Sequence, residues 1–459
     1  MNTLQTLTSR RRALGAFGSL AFAALAHERA LAEGNPLAPK QPILPARAKR
    51  VIFLSMQGAP SHVDTFDHKP KLMADSGKAG KYGGPTGAKL LASPWKFSPH
   101  GQSGLQISEV FPHLARLADD LCLLRGMHTD LPNHPQAQVA MHTGNAQFVR
   151  PSLGSWTLYG LGTENADLPG FVALNPPGGT AQHFGSAFLP AIYQATRIGG
   201  DTRFRRPGAG EGAPKIPNIE NPRLDRDLQR IQLDLVQSLN RDKLARDIQQ
   251  PEVEGVIDSF ELAFWMQDRL PEVMDTSKES AATLELYGIG SGETSNFGRQ
   301  CLTARRLVES GVRFVELTHG NWDHHRNIED DLPARCQEID QPIAGLLTDL
   351  KQRGLLKDTL VVWAGEFGRT PHSQGSGRDH NNKGYTTWMA GGGVKGGFSY
   401  GATDEHGYEA VENKMHIHDW HATILHLLGL DHEKLTYRYA GRDFRLTDVS
   451  GVVAKDILA

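Results

Sequence analysis

Four short, largely apolar runs, at residues 51–54, 121–124, 312–317 and 359–364, constrain this chain more than anything else in it. Each is too apolar to lie open to water and has the β-branched or aromatic content of a strand covered on both faces, the kind found in parallel sheets. Between the later runs come apolar residues at helical spacing, first over 297–310 and then at Ile339, Ile343, Leu346, Leu347 and Leu350. Helices alternating with buried strands predict an α/β fold whose loops collect polar residues at the carboxyl edge of the sheet. A helix over 109–119 should lead into the second strand, a short helix should run from Asn133 to Gly144, and 385–390 reads as one more strand. Residues 416–428 carry four histidines, but Ile417, Ile424, Leu425, Leu427 and Leu428 make this a packing helix.

At 459 residues the chain exceeds the usual size of a single core, so it should form one large α/β domain with insertions or two domains. Residues 196–222, dense in Gly, Pro and Arg, read as an exposed loop, and 224–286 read as a helical insertion beside or over the sheet. Lys plus Arg number 49 against 51 Asp plus Glu, so no global field attracts nucleic acid or an anionic membrane. The three cysteines, Cys122, Cys301 and Cys336, are too widely spaced for a disulfide framework or a metal knuckle, while 20 histidines offer nitrogen ligands instead. At the start, Ser9, Arg10, Arg11 and Arg12 precede an apolar stretch and the Ala30-Leu31-Ala32 pattern, which predicts a twin-arginine (Tat) signal over 1–32 and export to the periplasm or beyond. A linker follows over 33–49, then a single domain over 50–450 with its insertion at about 196–290 and a tail over 451–459; no segment forms a stable membrane anchor.

Polar residues follow four of the strands, and parallel strands bring such loops to one edge. The richest set is His319, Asp323, His324 and His325, directly after the run at 312–317. Imidazole and carboxylate together suit zinc and other divalent ions. Glu366 follows a strand too apolar to be exposed and needs a cation or an arginine; Asp379 and His380 come shortly after it, and Asp64 lies beyond the first strand. Asp64 also fits a capping box opened by Ser61. The candidate metal ligands are therefore His319, Asp323, His324, Glu366, Asp379, His380 and Asp64, for one or two ions of Zn, Ca, Mn or Mg. Arg125, Arg369 and Arg378 can donate paired N–H bonds to phosphate or sulfate oxygens, and His134 or His325 can serve as general base. There is no dinucleotide-binding glycine fingerprint after Leu54 and no haem-attachment motif.

Several longer stretches, Gly365 through Pro371, Gly377 to His380, Pro60 to Asp67, Ala390 to Gly397 and the C-terminal Tyr437 to Asp448, resemble a bacterial family named domain of unknown function 1501 over nearly the whole mature chain. That family is placed in the alkaline-phosphatase-like superfamily with sulfatases and phosphodiesterases. The resemblance implies a three-layer α/β/α fold with a mixed, mostly parallel sheet, a helical insertion and a metal centre at the sheet edge. This sequence departs from the superfamily pattern in three places. Gln57 and Gly58 stand where the first strand should deliver a metal-binding aspartate, Asn133 or His134 stands where a Cys, Ser or Thr nucleophile should, and Glu366 with Phe367 replaces an Asp-His pair. Histidines, aspartates and Glu366 converging at strand ends with arginines nearby lead to the expectation of an exported metal-dependent hydrolase of sulfate or phosphate esters, on a small molecule or a polysaccharide, and the missing nucleophile favours water activated by the metal over a covalent intermediate. The rival reading is a binding or scaffold protein that kept the fold without catalysis.

Overall fold

Along β1 (Arg50–Met56) side chains alternate between two apolar layers: Val51 and Phe53 join one, while Ile52, Leu54 and Met56 join the other. This period of two makes β1 a central strand with helices on both sides. The protein was analysed as a computed structural model, which describes residues 36–80, 88–177, 181–199, 219, 223–246, 251–290 and 292–459. The expected signal at 1–32 and most of the expected loop, 200–218 and 220–222, lie outside these residues. No described helix is long and apolar enough to cross a membrane.

Eight further strands complete the central sheet: β2 (Leu121–His128), β3 (Phe171–Leu174), β4 (Thr196–Ile198), β5 (Phe314–His319), β6 (Thr359–Ala364), β7 (Tyr385–Gly391), β8 (Phe398–Tyr400) and β9 (Met415–His416). Their order is β8-β2-β7-β6-β1-β5-β3-β4, with β9 also paired to β2. The strands β6, β1, β5, β3 and β4 run parallel, and β7 is antiparallel to both its neighbours. The fold is therefore α/β with a mixed, mostly parallel sheet.

The main helices are α1 (His134–Thr143), α2 (Leu153–Leu161), α3 (Arg226–Arg246), α4 (Pro251–Met274), α5 (Ser295–Glu309), α6 (Ile328–Gln352) and α7 (Ile417–Leu427). Cys301 and Leu302 of α5 and Cys336, Ile339 and Ile343 of α6 pack in the Ile52 layer; Met141 of α1, Trp156 of α2 and Ile424 of α7 pack in the Phe53 layer. Burying one such side chain stabilises by about 1.5–3 kcal/mol, which is why these layers fix the strand ends in place. All three cysteines are free and buried, as core residues rather than ligands.

Two local expectations need correction. Residues 109–113 are not helical; Pro112 interrupts the segment, and only a tight 3-10 turn over Leu114–Asp120 forms before β2. The expected loop from 196 opens instead with β4, which pairs parallel with β3. The segment read as a linker hydrogen-bonds along the fold, Leu44 N–H to Gly429 O and Arg47 N–H to Leu427 O.

Candidate metal centre

Loops following β1, β2, β5 and β6 leave the same edge of the sheet, and two glycines let them touch. A Cβ on Gly58, whose φ is +105°, would lie 2.7 Å from Asp323 N and 2.8 Å from Trp322 N, so only glycine lets the loop after β5 close over the end of β1. A Cβ on Gly377 would lie 2.2 Å from His324 O, in the hairpin formed by Gly368–Gln374 and Gly377–Asn381. These approaches bring His134, Asp323, His325 and His380 together, each with one ligand atom within 4.8 Å of the others.

Asp323 Oδ1 is the hub. It lies 3.1 Å from His134 Nε2, 2.9 Å from His325 Nε2 and 3.4 Å from His380 Nε2, and the His325 and His380 Nε2 atoms are 2.9 Å apart. In every ring the other nitrogen faces an acceptor. His134 Nδ1 meets Glu366 Oε1 at 2.6 Å, His380 Nδ1 meets Pro132 O at 2.8 Å, and His325 Nδ1 meets Gln374 Oε1. Each Nδ1 must therefore carry the proton, and each Nε2 turns a lone pair toward Asp323 and its neighbours. A single proton can bridge one of these contacts; three ring nitrogens and a carboxylate oxygen directed at one place suit a cation.

The four donor atoms lie close enough together to share one ion, and imidazoles whose remaining N–H is held by a carboxylate or carbonyl are the usual ligand arrangement.

Charge around the hub keeps Asp323 ionised and His380 neutral but favours a proton on His134, with which a metal would compete. Burial alone would raise the Asp323 carboxyl, but its bond to Arg369 at 2.7 Å, the Arg369 charge and the neighbouring His134 outweigh it and hold the group well below the ordinary carboxylate range. Burial likewise pushes His134 down, yet Glu366 and Asp323 overcome it and leave the ring above its usual value. His380 is lowered, chiefly by burial. Phe367 packs against both His134 and His380, with ring centroids 4.7 and 4.8 Å away, and sets their planes.

The remaining expected site residues fall elsewhere. His319 sits at the end of β5, but its nitrogens are taken by Glu338 Oε2 at 2.8 Å and the Trp322 indole N–H at 3.0 Å. His324 is buried away from the cluster, and burial, with the nearby Arg369 charge, brings its pKa down to about 4. Glu366 accepts from Gly58 N–H, Gln138 and His134, and so stands behind a ligand rather than serving as one. Asp379 Oδ1 accepts the His380 N–H at 2.8 Å. Asp64 lies fully buried in a two-pronged pair with Arg378, at 2.6 and 2.9 Å, and the Ser61 hydroxyl donates to it instead of capping a backbone N–H. Arg378 is thus unable to receive a substrate oxygen, and Arg125 stands on β2 beside Asp67, 3.9 Å from its carboxylate. His134 and His325, expected as general bases, turn Nδ1 to Glu366 and Gln374 and Nε2 toward Asp323, the arrangement of ligands.

Sequence reasoning missed Arg369 as the partner of Asp323, and Gln138, Gln374 and the Pro132 carbonyl as anchors. The hairpin register shifts between Arg378 and His380, and this irregularity turns His380 to the cluster while Arg378 points into the core.

Two other clefts, of about 410 and 310 Å³, are lined by residues such as His113 and Gln341, and Leu37 and Trp265, and share none with the centre. Over residues 48–458 the chain matches the family described as "Protein of unknown function (DUF1501)". No curated protein matches its sequence. Solved structures similar to it include the PsFucS1 sulfatase from Pseudoalteromonas sp., 14% identical over 90% of this chain and 72% of that one with a TM-score of 0.39. The lipoteichoic acid synthase LtaP from Listeria monocytogenes is 8% identical over 91% and 80%, TM-score 0.38. A magnesium-bound mutant of TAB5 alkaline phosphatase is 12% identical over 76% and 92%, TM-score 0.31.

Proposed function

This chain belongs to the DUF1501 family, so its activity has to be read from the centre itself, and we propose that it is an exported metal-dependent hydrolase of sulfate or phosphate esters. The observation that carries the reading is the common direction of three histidines: Nδ1 anchored outward, Nε2 gathered on Asp323 Oδ1. Export rests on Arg10 and Arg11 ahead of the apolar stretch.

His134, Asp323, His325 and His380 would hold one divalent ion. Three nitrogens and one oxygen favour zinc over calcium, magnesium and manganese, which prefer oxygen ligands. Such an ion would polarise an ester oxygen and lower the pKa of water. The chain's own residues supply the rest. Arg369 keeps Asp323 ionised, Glu366 fixes the His134 tautomer, and Phe367 aligns two rings. Asp323 is 46% exposed at its side chain, so the centre opens at the sheet edge, where an ester on a small molecule or a polysaccharide can reach it.

The test is hydrolysis of a panel of sulfate, phosphate and phosphonate esters by the metal-loaded protein, with and without chelator. Chelator-sensitive turnover supports the proposal. A second reading, metal-dependent binding without turnover, is favoured by the commitment of Arg369 and Arg378 to Asp323 and Asp64 in the core. It is the outcome if the same panel binds and none of it is cleaved.

A further inference from the structure

The helix α3 carries an apolar stripe that faces away from the protein: Leu228, Ile231, Leu235 and Leu239 are 49%, 64%, 62% and 60% exposed. Spacings of three and four place all four on one narrow face over three turns. The opposite side of the helix packs on α4, where Arg230 pairs with Glu261 at 2.8 Å and Arg226 lies over the Phe264 ring. An exposed stripe of this length normally marks a contact surface.

Its pattern reads nearly the same in both directions. A two-fold axis passing beside Leu233 sets Leu228 opposite Leu239 of a second helix and Ile231 opposite Leu235. The charges on one flank follow the same symmetry, because Asp227 then faces Arg241 of the second helix and Arg241 faces Asp227. Both are exposed, and neither forms an ion pair with a described residue of its own chain. A parallel arrangement would instead set Asp227 on Asp227 and Arg241 on Arg241, which like-charge repulsion disfavours. Asp234 sits near the axis, but Arg230 neutralises it within each chain.

We propose that α3 is a docking surface for a second copy of this chain, packed antiparallel to its counterpart about that axis. A two-fold contact is self-complementary by necessity, and this stripe meets the requirement in both its apolar and its charged positions. The four leucine and isoleucine side chains per protomer form the dry centre, and the Asp227–Arg241 pairs fix the orientation at the rim.

The test is sedimentation velocity on the full mature chain, from low micromolar to submillimolar concentration. The wild type is expected to dimerise. Leu235→Glu should raise the dissociation constant at least about thirtyfold without changing far-UV circular dichroism, or the unfolding midpoint at concentrations where both proteins are monomeric. Asp227→Arg should weaken association about fivefold to tenfold, and adding Arg241→Asp should restore it. A wild type that stays monomeric throughout overturns the proposal, as does a dimer indifferent to Leu235→Glu or a charge swap that restores nothing. A monomer that binds anionic lipid vesicles through this stripe also overturns it, since the occupant would then be a membrane surface.

Discussion

His325 Nε2 and His380 Nε2 lie 2.9 Å apart although Nδ1 of each ring is already turned to a carbonyl-type oxygen, Gln374 Oε1 for one and Pro132 O for the other. Two neutral rings held that way set lone pair against lone pair, an arrangement that only a positive charge between them makes favourable. This relationship separates the centre from a chance gathering of histidines, whose tautomers would be free to pair with one another.

The carboxylate behind His134 should matter to metal affinity even though it touches no metal. Glu366→Gln keeps the acceptor for Gly58 N–H but removes the charge that holds the His134 proton on Nδ1. Losses of about ten- to a hundredfold in affinity follow from removing such a partner. Competition against a chelating dye reads this directly, and equal affinity in both proteins would remove Glu366 from the account.

Asp64 should behave in the opposite manner. It is fully buried with Arg378, so Asp64→Asn leaves a guanidinium in the core without its counter-charge. Breaking a buried pair from one side costs about 3–5 kcal/mol. A lower unfolding midpoint with unchanged metal content is the expected result; metal loss in a protein of unchanged stability would return Asp64 to the ligand set.

These two carboxylates also show how far the sequence can be read. The strand at 359–364 and the helix starting at His134 were legible because apolar periodicity, Asn133 and Pro135 mark them locally. The convergence of Asp323, His325 and His380 was legible as a consequence of parallel strands. What each side chain does was not, because it depends on partners distant in sequence. His319 is claimed by Glu338 on α6 and by Trp322, and Glu366 is tied down by Gly58 N–H, a backbone group that leaves no mark in composition. His380 reaches the cluster only through an irregular pairing in its hairpin.

Acid should destabilise the fold through His183. Burial, aided by the charge on neighbouring His142, lowers its pKa to about 2, and the two rings stack 4.4 Å apart. In the unfolded chain a histidine takes its proton near pH 6.5. The native ring stays neutral, so its contribution to stability is complete above about pH 6.5 and is lost at about 1.4 kcal/mol per pH unit below it. His142, whose pKa is raised on balance because Glu316 outweighs its burial, works in the opposite sense, so the effect is best read as a difference. His183→Phe should gain about 2 kcal/mol relative to the wild type between pH 6.5 and 5. Parallel pH profiles for the two proteins would count against a neutral buried His183.

The central claim, one cation held by His134, Asp323, His325 and His380, is tested most directly by the metal content of protein purified without chelator and reloaded with zinc, compared with His380→Ala and His319→Ala. The account requires about one ion per chain in the wild type and in His319→Ala, and loss of that ion in His380→Ala. A wild type that retains no ion, or a His380→Ala protein that keeps it while His319→Ala loses it, would contradict the centre described here.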